Sequence, residues 1–222
     1  MTQTPLPGPA VVFCDFDGTV TEEDTLVLLL DRFARTRADG AHWRSIEDDP
    51  ELPEIEKLQA EMDLLALDWP QALEYLHTVV RIRAGFQAFH DRLQARGIPL
   101  KLVSGGFVEI IEAFLPPARY PGMELLANRI EVQNSVWRVR PAASPKITGA
   151  CNHCKSWHLG QHDGHTLVYI GDGSTDFCPA GQVPVVFARD SLARHLDRAG
   201  KPWWPFETFH EIETRMEQLG LL

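Results

Sequence analysis

Four short runs constrain this chain most: AVVFC at 10–14, IPLKLVS at 98–104, TLVYIG at 166–171 and VPVVFA at 183–188. Each is apolar at odd and even positions alike, so a strand built from it has two faces to hide rather than one. Strands buried on both faces belong in a parallel sheet covered by helices on each side. The intervening sequence supplies those helices. Residues 85–96 and 107–115 place apolar side chains three and four apart, and Gly97 is a natural helix stop. Strand and helix in alternation predict a doubly wound α/β fold.

The alternation is interrupted once. Between Thr21 and Arg83 the strand signal disappears, and helical patterning is broken by Gly40, Pro50, Pro53 and Pro70. The expected organisation is therefore an α/β core of residues 1–20 and 84–222, with a small helical cap, residues 21–83, inserted after the first strand. Residues 125–140, LLANRIEVQNSVWRVR, alternate apolar and polar side chains around a turn-prone Gln133 to Ser135. They predict a β-hairpin accessory to the core.

In an open parallel sheet, ligands gather beyond the carboxyl ends of the strands. Three of the predicted strands end in DFDGT (15–19), SGG (104–106) and GDGSTD (171–176). Asp15 and Asp17 lie two apart, so in extended backbone their carboxylates face one cavity while Phe16 packs the other way. That pairing suits a nucleophile beside a proton donor: Asp15 attacks phosphorus, and Asp17 protonates the leaving group and later deprotonates water. Gly18 and Thr19 are expected to offer backbone N–H groups to a phosphate, and Ser104 with Gly105 to hold a phosphoryl oxygen. Asp172 would join Asp15 and the carbonyl of Asp17 around Mg²⁺, with Asp176 supporting the metal shell. Such a concentration of negative charge calls for a lysine; Lys155 in CNHCKSWH is preferred to Lys146 in PAASPKIT.

Composition limits the partners. The 222 residues carry a formal net charge of -10, which argues against nucleic acid or an anionic membrane surface and favours a small phosphate ester. The segment MTQTPLPGPA has neither a basic stretch nor a long apolar run, so the expectation is a cytoplasmic protein. The four cysteines, Cys14, Cys151, Cys154 and Cys178, read as reduced. Cys151, His153 and Cys154, near His158, His162 and His165, invite a zinc reading, but no clear fourth ligand stands out, and a reduced pair positioning Lys155 is preferred.

DFDGT, Ser104, Lys155 and the pair Asp172 and Asp176, in this order, resemble the four motifs of the haloacid dehalogenase superfamily. The insertion after the first motif resembles its phosphoserine-phosphatase branch. The resemblance implies a Rossmann-like core, Mg²⁺, Asp15 as nucleophile and Asp17 as general acid/base. CNHCK, YIGDGSTDFCP and the tail VVFARDSLARHL are similar to two groups: methionine-salvage phosphatases, which the tail favours, and phosphoethanolamine and phosphocholine phosphatases, towards which DFCP points. In the cap, Asp24 lies nine residues after the nucleophile, where the branch places an acidic residue that meets a substrate amine; capping of the following helix is an equal expectation. Arg81 and Arg83 read as a solvated helix face. A phosphotransferase using an alcohol acceptor, or a silent binding module, stays open.

Overall fold

A computed structural model describes residues 8–36, 40–49, 51–142, 152–162 and 164–222. Its centre is a seven-stranded sheet: β1 (Ala10–Cys14), β2 (Leu100–Phe107), β3 (Glu124–Gln133), β4 (Val136–Arg140), β5 (Thr166–Gly171), β6 (Val185–Ala188) and β7 (Trp204–Pro205), in the order β4-β3-β2-β1-β5-β6-β7. Every neighbouring pair is parallel except β3 with β4.

The two-faced apolar runs are used as their composition requires. Val12 and Cys14 of β1 enter one core, with Phe86, Phe89, Ile111 and Met216. Val11 and Phe13 enter another, with Leu159, Ala180 and Leu192. The first face is covered by α5 (Phe86–Ala95), α6 (Val108–Phe114) and α10 (Phe209–Gln218), the second by α7 (Lys155–Leu159), α8 (Phe177–Gln182) and α9 (Asp190–Arg198). Strand order reverses at β1, which pairs with β2 on one side and β5 on the other. The crevice beyond its carboxyl end is the ligand position of such a sheet.

One strand departs from expectation. β2 continues past Ser104 to Phe107, and its register against β3 shifts between Val103 and Phe107. The hydroxyl of Ser104 accepts a hydrogen bond from Gly106 N at 2.9 Å, which fixes this bulge and turns the strand over the crevice.

Between β1 and α5 lie α1 (Thr25–Phe33), α2 (Arg44–Glu47), α3 (Glu54–Leu64) and α4 (Trp69–Val79). Asp24 caps α1, accepting from Leu26 N and Val27 N, and Asp68 with Gln71 forms a capping box at α4. The connections into and out of this insertion pair with one another: Thr21 bridges Ile82 in antiparallel fashion, and Arg83 N donates to Val20 O at 2.8 Å. The β3–β4 hairpin turns through Asn134 and Ser135, both left-handed, and it is more than an ornament of the core. Gln59 of α3 donates to Trp137 O and accepts from Val139 N, while buried Trp137 donates to Leu67 O. The hairpin thus braces the insertion.

Candidate active site

Beyond β1, β2 and β5 opens a cavity of about 550 Å³, bounded on the sheet side by Asp15, Asp17, Ser104, Gly105, Gly106 and Asp172. Asp15 is buried at the end of β1, with Oδ1 accepting from Phe16 N at 2.8 Å and paired with Lys155 Nζ at 2.8 Å. Its Oδ2 has no donor among the described residues. Asp17 Oδ1 accepts from the N–H and hydroxyl of Thr25 at 2.9 and 2.6 Å. Burial and the charge of Asp24 push Asp17 up to about 7, where a carboxyl both gives and takes a proton near neutrality. Gly106 is small of necessity, because a Cβ there would come within 2.9 Å of Asp17 Oδ2.

Lys155 is buried, a placement that by itself would strip its proton. The carboxylates of Asp15 and Asp176 reverse the effect and raise its pKa, so the ammonium persists. Asp176 stands behind the other carboxylates of the acidic group and supports them. Its Oδ1 accepts from Lys155 Nζ at 2.7 Å and Tyr169 hydroxyl at 2.6 Å; its Oδ2 accepts from Asp172 N and Gly173 N, each at 3.0 Å. With both oxygens saturated, Asp176 positions Lys155 and the loop that carries Asp172.

Gly18 and Thr19 act differently from the sequence expectation. Their N–H groups point to the loop's own carbonyls, Glu23 O and Phe16 O, at 3.4 and 3.3 Å, and neither lines the cavity. Gly18 holds φ +75, and a Cβ on it would sit 2.4 Å from Asp172 Oδ2, so only glycine allows the two segments to meet. The Thr19 hydroxyl donates to Asp172 Oδ1 at 2.6 Å. Arg83 is no solvated side chain: it is buried and donates to the carbonyls of Gly18, Thr19 and Thr21.

The same acidic group passes a test for a divalent ion. Asp15, Asp172 and Asp176 can each bring one oxygen within 4.8 Å of the others, and Asp15 Oδ2 and Asp172 Oδ2 have no donor among the described residues. Burial and mutual repulsion hold Asp15 well above the usual carboxylate range and push Asp172 up to about 6, although Lys155 and Thr19 pull the other way. Hard oxygen donors with uncompensated negative charge suit Mg²⁺.

Two histidines of the CNHCKSWH segment pair with one another. His153 Nδ1 donates to Ser104 O at 2.9 Å, and its Nε2 lies 2.7 Å from His158 Nε2. Burial and the partner histidine push His158 down to about 4, keeping it neutral. Cys151 and Lys146 lie outside the described residues. Reading the sequence alone passed over Thr25, Tyr169 and the cavity's far wall; only the fold brings them to the motifs.

The model of the haloacid dehalogenase-like hydrolases matches residues 12–180. A 2-hydroxy-3-keto-5-methylthiopentenyl-1-phosphate phosphatase of Geobacillus kaustophilus is 30% identical over 226 residues, covering 96% of this chain and 97% of its own length. The protein of the same name from Exiguobacterium is 32% identical, covering 95% and 98%. A substrate-bound phosphoserine phosphatase structure superposes with a TM-score of 0.62 at 16% identity, covering 96% of this chain and 99% of that one. With its crevice, acidic cluster and buried lysine carried on a fold matched over nearly its whole length, the chain belongs to the haloacid dehalogenase-like hydrolase family and is an enzyme.

Proposed function

We propose that this hydrolase is a Mg²⁺-dependent phosphomonoesterase that cleaves a small phosphorylated metabolite through an aspartyl-phosphate on Asp15. The observation that carries the reading is the division of labour at the crevice: Asp15 keeps one oxygen open to the cavity while Lys155 holds the other, beside Asp17 with its pKa of about 7.

Asp15 Oδ2 forms a bond to phosphorus as the ester P–O bond breaks, and Asp17 delivers its proton to the departing alkoxide. Asp17 then accepts a proton from water as that water attacks phosphorus; the Asp15–phosphorus bond breaks and inorganic phosphate leaves. Ser104 and Gly105 hold the phosphoryl oxygens, and Lys155 keeps Asp15 oriented throughout. A bound Mg²⁺, held by Asp15, Asp172 and the Asp17 carbonyl, would supply charge neutralisation for nucleophile and phosphate. Residues 21–83 act as a cap that keeps bulk water from the site and reads the alcohol portion of the ester. The names of the relatives make the methylthiopentenyl ester of methionine salvage the first substrate to assay.

The test is phosphate release from that ester, phosphoserine and an aryl phosphate, with and without Mg²⁺. Release is expected only with the metal, and Asp15→Asn should bring it below detection. Turnover that survives thorough chelation, or an active Asp15→Asn enzyme, would overturn the mechanism.

A further inference from the structure

The wall of the cavity opposite the reacting carboxylates is built from the helical insertion, and its charge is unexpected for a site that receives a phosphate. Asp24, Glu47, Glu54 and Glu61 line it, and Lys57 is the basic side chain among its lining residues. On α3, Glu54, Lys57, Leu58 and Glu61 follow one another at three, four and seven residues, so one helix face supplies the centre of the wall. Lys57 is already engaged: its Nζ lies 2.9 Å from Glu54 Oε1 and donates to Glu47 O at 3.0 Å. Arg44 of α2 is bound to Asp31 and stacked on Trp43.

Glu61 distinguishes this wall from an ordinary acidic surface. It is 8% exposed, it faces the cavity, and its carboxylate has no hydrogen-bond partner among the described residues. A buried carboxylate without a partner is costly, and a helix face that keeps one has a use for it when something positive arrives. A second metal ion fits poorly. Among the described residues only Asp15, Asp172 and Asp176 bring oxygens close enough together to grip an ion; the carboxylates of the insertion are spread around the wall. Spread carboxylates interleaved with Leu26, Val27, Leu58 and Trp43 suit a bulky, diffuse cation with carbon around it.

We propose that this wall, centred on Glu61, is a subsite for a cationic nitrogen, a primary or substituted ammonium, carried by the alcohol portion of the phosphate ester. The inference rests on the phosphatase reading but not on the substrate in the relatives' names, whose hydroxy, keto and methylthio groups carry no positive charge. Asp24 lies between the two ends of the cavity, its Oδ1 spent on capping α1.

The experiment compares kcat/KM within pairs of esters matched in size: phosphocholine against its uncharged isostere with carbon in place of the quaternary nitrogen, and phosphoethanolamine against propyl phosphate. An aryl phosphate reports the chemistry itself. The wild-type enzyme is expected to prefer the cation in at least one pair by roughly tenfold or more, the effect of one well-placed charge interaction. Glu61→Gln should collapse that ratio, and Glu61→Lys should invert it. Because each ratio is internal to one preparation, a poorly folding variant does not imitate the result. Ratios near one in both pairs, or a preference untouched by Glu61→Gln, would overturn the cation subsite while aryl phosphate hydrolysis kept the phosphatase reading alive. No hydrolysis of the aryl ester would bring down both.

Discussion

Glu61 and Asp176 are both buried carboxylates, and they show opposite solutions to the same cost. Asp176 receives four donors and has become a fixture that locates Lys155 and the backbone of Asp172. Glu61 receives none, and burial followed by the charges of Glu47, Asp24 and Glu54 pushes it up to about 7. A folded-state pKa above the ordinary carboxylate value means that the native protein holds the proton more tightly than the unfolded chain. Stability from this residue is therefore full below the ordinary pKa and is lost as pH rises from about 4.5 through about 7. Glu61→Gln removes the titration. In the ligand-free enzyme, urea denaturation at pH 5 and pH 8 should show the variant gaining on wild type at the higher pH, by on the order of 1–2 kcal/mol. Parallel pH dependence of the two proteins would mean that Glu61 ionises freely and that its burial has no electrostatic consequence.

Among the elements, the two-stranded connection to the insertion carries more of the site than its length suggests. Arg83 ties the carbonyls of Gly18, Thr19 and Thr21 together from the return connection, and Thr19 in turn holds Asp172 Oδ1. Arg83→Met cuts this support without touching a reacting group. The concentration of Mg²⁺ giving half-maximal activity should rise roughly tenfold, as for other residues that orient metal ligands, while Arg83→Lys restores little because an ammonium lacks the guanidinium's fork. An unchanged Mg²⁺ requirement would reduce Arg83 to a structural brace. Elements of this kind are poorly legible in sequence. The strands could be read because two-sided burial leaves an unbroken apolar run, and the motifs because they stand at strand ends. Arg83 looked like a solvated charge because its partners are backbone carbonyls more than sixty residues away. The DFDGT motif does not show that the hydroxyl and N–H of Thr19 point in different directions, nor does GDGSTD show how many donors surround Asp176. The wall of Glu54, Lys57 and Glu61 is not legible in the sequence, because which way α3 faces is decided by its packing on the β3–β4 hairpin.

At the scale of the molecule, a chain with formal charge -10 folds so that several carboxylates surround one crevice, four of them from an insertion and the rest from two strand ends. Folding alone brings Asp15 and Asp172 together; the unfolded chain holds them more than 150 residues apart and has no site to offer. A divalent ion that binds there stabilises only the native state, by about 2.7 kcal/mol at a hundredfold excess over its dissociation constant. For a protein of this size that corresponds to a rise in Tm of roughly 5–10 °C. Thermal melts with Mg²⁺, compared with a monovalent salt at matched ionic strength, should show that rise in the wild type. Asp172→Asn should melt at least as high as the metal-free wild type, since one repelling charge is gone, and should gain little from Mg²⁺. The matched salt matters because simple screening of so acidic a protein also raises stability. A shift reproduced by the monovalent salt, or retained in Asp172→Asn, would remove the metal from these carboxylates and leave Lys155 as the sole counter-charge of the nucleophile.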